Sequence, residues 1–187
     1  GEDETGITIM YMDEGMDTGD IILQKYTSID PKENAGSLHD RLAILGKHAL
    51  EEALLLFNGG RPEGALQDDS SATYCKKIDK SWGEIDWNMS AKELNNLIRG
   101  LTPWPGCFTF YRDERLKIWK VEIINRQLVE NYIPGEIVVS NTEDGLIVSC
   151  GDGFLRLSYV QGEGGKSMDD TAYLMGHSLP VGERLGK

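Results

Sequence analysis

Cysteine, histidine, positive charge and long apolar runs are all scarce in this chain, and each shortage closes a class of explanation. The three cysteines, Cys75, Cys107 and Cys150, stand far apart with no second Cys or His at ligand spacing. This argues against a disulfide framework and against structural zinc, so small, semi-buried, reduced thiols are expected. No stretch approaches the roughly 18–20 consecutive apolar residues of a membrane-spanning helix. The chain opens Gly1-Glu2-Asp3-Glu4, with neither Met nor an apolar leader region. It is therefore expected to lack a secretory signal and to be a processed chain or a piece of a longer one. Lys and Arg number 19 against 31 acids, a net charge of −12, which disfavours a broad polyanion-binding face. The bases are uneven, 8 against 16 acids through residue 80 and 11 against 15 beyond it. Nucleic-acid contact, if any, is expected to be local and to come from the linker or the second half. No self-similarity at a period of about 20–50 residues appears, so a repeat architecture is excluded.

What remains is a globular composition long enough for one domain or two small ones. Ile7–Met12 and Ile21–Tyr26 read as buried strands, joined by the acidic, glycine-bearing turn Asp13–Asp20. Ser37 looks like a helix N-cap, followed by the stripe Leu38, Leu42, Leu45, Ala49, Ala53 and Leu56, and Gly59-Gly60 with Pro62 ends that helix. A strand pair and one amphipathic helix cannot enclose a core, so residues 1–60 read as the end of an α/β domain. Residues 61–81, rich in Pro, Gly, Asp and Ser, read as a linker. Ser90 and Glu93 form a capping box for a helix carrying Leu94, Leu97, Ile98 and Leu101, stopped by Thr102-Pro103-Trp104-Pro105-Gly106. Five short β-rich runs follow: Phe108–Tyr111, Leu116–Ile124, Glu136–Val139, Leu146–Cys150 and Phe154–Tyr159. Asp152-Gly153 marks a hairpin between the last two. The fold class is thus an α/β remnant followed, over 82–187, by a small closed or nearly closed OB-like barrel. Strict alternation puts Leu116, Ile118, Lys120 and Glu122 on one strand face and Lys117, Trp119, Val121 and Ile123 on the other.

Asp13, Glu14, Asp17 and Asp20 place four carboxylates at the end of a buried strand, where open α/β sheets bind ligands. A solvated acidic turn fits the spacing equally well. A calcium loop fits poorly, because the twelfth position holds Gln24 rather than a closing Glu.

The segment Glu4–Met10 with Met12–Asp20 closely resembles the end of the catalytic domain of the methionyl-tRNA formyltransferase family. The similarity continues through Ser37–Ala43, Ala72–Ile78, Ile85–Trp87, Ile98–Gly106, Gly151–Gly153 and Gln161–Gly164. It implies transfer of a formyl group from 10-formyltetrahydrofolate to the amino group of methionyl-tRNA by a cytoplasmic enzyme without a metal. In such enzymes an Asn, a His and an Asp act together. Only the Asp maps here, onto Asp17, and His39, His48 and His177 lie outside the family's His motif, so this segment alone is expected to be inactive. The resemblance puts Asp13, Glu14, Gly15 and Met16 on the folate side of the turn. Met16 suits packing on a flat pterin or, alternatively, in a core beneath the turn.

Candidate tRNA contacts are Lys76, Lys77 and Lys80 in the linker and Arg112, Arg115, Lys117, Lys120 and Arg126 around one strand. A merely solvated surface explains each of these equally. Trp104 and Trp119 suit base stacking or buried packing. Two further functions share the Asp-bearing turn, an amino-sugar-nucleotide formyltransferase and a formyl-folate hydrolase. A non-catalytic nucleic-acid-binding module is a third. Self-association is expected if the first segment leaves core surface uncovered.

Overall fold

The computed structural model describes residues 1–125 and 132–186; Arg126 lies outside them. The chain divides into two compact units, Glu2–Lys77 and Ile78 to the C-terminus. No described helix is long and apolar enough to cross a membrane.

In the first unit, β1 (Glu4–Met10) and β2 (Ile21–Ser28) pair antiparallel, with Glu4 opposite Ser28 and Ile9 opposite Leu23. Thr5, Ile7 and Ile9 alternate inward with Leu23, Lys25 and Thr27, and the 22-residue α1 (Ala35–Leu56) covers that face. Its cap is Asn34 rather than Ser37. Asn34 Oδ1 accepts from the Ser37 amide at 3.0 Å, while Ser37 Oγ accepts from the Asn34 amide at 3.2 Å. The reciprocal box starts the helix three residues earlier than the serine suggested. Arg41 fastens α1 to its own entry and to β2, with an ion pair to Glu33 at 2.7 Å and hydrogen bonds to Thr27 Oγ1 and the Ser28 carbonyl. Only Ala49 and Ala53 of α1 are fully buried. Ile44, Leu54 and Leu55 are 62%, 59% and 67% exposed, so the helix carries apolar surface that this unit does not cover. After α1 the chain returns to β2 through an Ala65–Ile21 bridge.

The second unit holds the main core. α2 (Ala91–Leu101) begins in the expected Ser90/Glu93 box, buries Leu94, Ile98 and Leu101, and ends before two cis prolyl bonds, Thr102–Pro103 and Trp104–Pro105. β3 (Cys107–Tyr111), β4 (Glu114–Ile124), β5 (Ile137–Asn141), β6 (Gly145–Ser149) and β7 (Phe154–Gln161) form one antiparallel sheet in the order β3-β4-β7-β6-β5. β8 (Met168–Asp169) pairs with β7 and leads into α3 (Asp170–Gly176). The hairpin at Asp152-Gly153 is present, with Gly153 at φ +84° and the Cys150 amide bonded to its carbonyl at 2.9 Å.

The architecture is mixed α/β, and the closed barrel is not found. Among the described residues β3 and β5 end the sheet path and do not pair with each other. Instead, backbone bonds join Ile137 to Gly182 and Glu183 on one side, and the Gly186 amide to the Phe110 carbonyl on the other. The C-terminal segment thus lies along both free edges, a local solution to the unpaired-edge problem.

Candidate functional site

The turn between β1 and β2 is closed at its base by the Tyr11 amide, which donates to the Asp20 carbonyl at 2.9 Å. Asp13 organises its tip: one carboxylate oxygen accepts from the Gly15 amide at 3.0 Å and from Thr18 Oγ1 at 2.7 Å. Gly19 is buried, and a Cβ there would stand 1.8 Å from the Tyr11 carbonyl oxygen, so glycine is required by close approach. Asp17 adopts φ +58°, the left-handed region that is uncommon for a non-glycine residue.

Asp17 lines an open cleft of about 450 Å³ between the turn and residues 66–74. Its side chain is exposed, and among the described residues no group donates to its carboxylate. Asp68 and Asp69 line the same cleft with Leu66 and Tyr74. The Ser70 hydroxyl, reinforced by that of Ser71, holds the Asp68 carboxyl below its ordinary range, so it stays ionised. Leu66, Tyr74 and Met16 are 86%, 82% and 79% exposed. The cleft therefore offers carboxylates and accessible apolar surface together, a combination that accepts an amine attached to an apolar body.

Of the residues singled out in the turn, Met16 and Asp17 line the cleft, while Asp13, Glu14 and Gly15 do not. Met16 does not pack in a core beneath the turn. None of the three histidines lines the cleft. His39 and His48 sit on α1 beside Asp40 and Glu51, and His177 stacks on Tyr173 at 3.9 Å. No group of three or more potential metal ligands occurs among the described residues.

The residue missed in the sequence is Gln67. Its side-chain amide donates to the carbonyls of Asp17 at 2.9 Å and Gly19 at 2.7 Å. Nothing local marks it, because it lies in a polar segment without periodicity.

The candidate basic residues separate into distinct groups. Lys76, Lys77 and Lys80 are exposed. Arg112 is committed to an ion pair with Glu183, which also accepts from Tyr111 Oη at 2.6 Å. Lys117 and Lys120, assigned to opposite faces by alternation, share one face. Their partners on β7 are Gln161 and Tyr159, two residues apart, because the register shifts between Ile118 and Lys120. The bulge keeps both Ile118 and Val121 buried and turns Lys120 outward. On that face Arg115 stands 3.6 Å from the Phe108 ring centroid and Lys117 stands 5.7 Å from that of Trp119. Trp119 is half-buried, its Nε1 donating to Gln161 Oε1 at 3.0 Å, whereas Trp104 is 56% exposed.

A family model described as "Formyl transferase, C-terminal domain" matches residues 77–178, and one described as "Formyl transferase" matches residues 1–54. A methionyl-tRNA formyltransferase from Caldanaerobacter subterraneus subsp. tengcongensis is 46% identical over 185 residues, which are 99% of this chain and 59% of that protein. The chain thus spans about three fifths of that relative's length. Two solved structures share the fold. HypX from Aquifex aeolicus in complex with tetrahydrofolic acid superposes with a TM-score of 0.65 at 16% identity, covering 94% of this chain and 30% of that one. The N-formyltransferase from Helicobacter canadensis, in complex with folinic acid and dTDP-3-aminofucose, gives 0.64 at 20% identity, covering 89% and 57%. With its second unit matched almost end to end, this chain belongs to the formyl transferase family.

Proposed function

We propose that this chain is the later part of an enzyme that moves a formyl group from 10-formyltetrahydrofolate to the amino group of methionyl-tRNA. The observation that carries the reading is 46% identity to a protein of that name, running through both units rather than the first alone. Residues 1–60 are the end of the catalytic domain, 61–81 the linker, and 82–187 an OB-like domain that contacts tRNA. Support for the OB-like description is the C-terminal segment bonded to both free sheet edges.

In the reaction the amine nitrogen attacks the formyl carbon, giving a tetrahedral adduct with an anionic oxygen and a cationic nitrogen. The bond to the folate nitrogen then breaks, and one proton passes from the amine to that nitrogen. Asp17, exposed and without a donor on its carboxylate among the described residues, takes the amine proton directly or through water. Asp13 shapes the turn, and Glu14, Gly15 and Met16 present it to the folate, with Met16 against the pterin. The Asn and His that stabilise the oxyanion come from outside this chain. On the second unit, Arg115, Lys117 and Lys120 with the aromatic rings beside them contact tRNA, joined by Lys76, Lys77 and Lys80. The substrate pair implies a cytoplasmic enzyme. The exposed face of α1 is covered by the earlier part of the catalytic domain, and the 187-residue piece alone self-associates through it.

The test is formylation by the full-length protein. The reading predicts formyl-methionyl-tRNA from methionyl-tRNA and 10-formyltetrahydrofolate, and no turnover by the 187-residue piece. Formylation of an amino-sugar nucleotide in place of methionyl-tRNA, or release of free formate, overturns it.

A further inference from the structure

We infer that Gln67 is the positioning residue for Asp17, an inference that rests on the role proposed above for that carboxylate. A primary amide has two protons to donate, and the two nearest acceptors of Gln67 Nε2 are the carbonyls on either side of Thr18, at 2.9 and 2.7 Å. The third neighbour of Nε2, the sulfur of Met10 at 3.7 Å, lies at the end of β1. One side chain therefore bridges the strand end and the far limb of the turn.

The turn needs such a brace. Asp17 holds a left-handed φ, its side chain is exposed, and Met16 beside it is 79% exposed, so side-chain packing does not impose this geometry. The Tyr11–Asp20 bond fixes only the base, and the Asp13 bonds lie within the turn itself. Gln67 is the contact that brings an outside reference to the backbone at Asp17. It is itself well anchored. Two residues earlier Ala65 exchanges both backbone bonds with Ile21 at 2.8 Å, and the next residue, Asp68, caps the turn at Asp69–Ser71. The amide is thus delivered from a small bridged segment, and the carbonyls it holds belong to the first and third peptide units after the carboxylate's own Cα. A reacting group displaced by about 1 Å loses up to a hundredfold in rate even when every partner is present.

The measurement is steady-state kinetics of Gln67→Met in the full-length enzyme, with Asp17→Asn alongside. Methionine keeps the length and apolar stem and removes both donors. The expected result is kcat lowered about ten- to a hundredfold, KM for both substrates within about twofold, and an unfolding midpoint unchanged within about 2 °C. Gln67→Glu, which sets a carboxylate against the same two carbonyls, falls below Gln67→Met at neutral pH. A kcat within about twofold of wild type in Gln67→Met, while Asp17→Asn loses orders of magnitude, overturns the positioning role and leaves the proposed function standing. A rise in KM in place of the fall in kcat, or a loss of rate that tracks a loss of stability, overturns it as well. Near-wild-type turnover by Asp17→Asn removes the proposed role of Asp17 itself, whatever Gln67 does.

Discussion

One carboxylate oxygen of Asp13 accepts the Thr18 hydroxyl at 2.7 Å, closing the tip of the turn around Asp17. The same oxygen accepts the Gly15 amide, so the turn is a small ring with two spokes on one hub. Thr18→Val removes one spoke and keeps the shape. A hydrogen bond of this kind is worth about 1 kcal/mol net, so kcat/KM of the full-length enzyme falls by roughly fivefold, while Thr18→Ser keeps the wild-type value. Equal kinetics for Val and Ser would detach the ring from the chemistry.

Asp170 is the buried charge of the second unit, 1% exposed, and it ties α3 to the sheet. It accepts from Arg156 Nε at 2.8 Å, from a terminal Arg156 nitrogen at 3.0 Å and from the Leu146 amide at 3.0 Å. Burial pushes its carboxyl up, but the hydrogen bonds from Arg156 and Leu146 outweigh that and hold it below its ordinary range. The unfolded state then binds the proton more readily, so this pair adds stability above the ordinary carboxyl pKa, and the contribution is lost as pH falls through the depressed native value. Asp170→Asn is expected to cost about 3 kcal/mol, the low end for a severed buried pair because the Arg156 side chain is 29% exposed. Urea melts at pH 7 and pH 4 check this. The difference between variant and wild type shrinks at the lower pH.

Burial drives the thiols of Cys107 and Cys150 up to about 12, while Cys75 is exposed. At pH 8 only about one in ten thousand of either buried thiol is ionised, and the thiolate is the reactive form. A thiol-exchange reagent is therefore expected to titrate one cysteine in the native chain and three in denaturant. Rapid native modification of Cys107 or Cys150 would show that the second core opens readily.

Because Lys117 and Lys120 share a face while Arg112 is held by Glu183, the three basic residues are not equivalent. Removing Lys117 or Lys120 is expected to weaken tRNA retention and to lower the salt slope by about one unit each. Arg112→Ala leaves the slope unchanged. Filter binding across a salt series distinguishes these outcomes, and an unchanged slope in the Lys117/Lys120 double variant counts against this face.

Much of this is legible in the sequence where a local rule suffices. The Ser90/Glu93 box, the Asp152-Gly153 hairpin and the five longer strands of the second unit all follow from residues a few positions apart, whereas the two-residue β8 and the short α3 carry no such local mark. One misreading is local: Ser37 resembles a cap, but Asn34, three residues earlier, has the same chemistry and an earlier start. The others come where distant partners decide. Lys120 changes face because a bulge opposite Val160 and Tyr159 resets the alternation, and no property of β4 alone encodes that bulge. The edge-covering C-terminal segment and the Gln67 brace each join residues about fifty or more positions apart, beyond the reach of periodicity. The acidic turn was visible as a cluster. Which of its carboxylates faces a cleft was not, because that depends on Asp17's backbone and on the segment that crosses it.

The most direct test of the whole account is the turnover number of Asp17→Asn in the full-length enzyme, measured with methionyl-tRNA and 10-formyltetrahydrofolate. The account predicts a kcat reduced by orders of magnitude, with both KM values and the unfolding midpoint close to wild type. A kcat within a few-fold of wild type would contradict it.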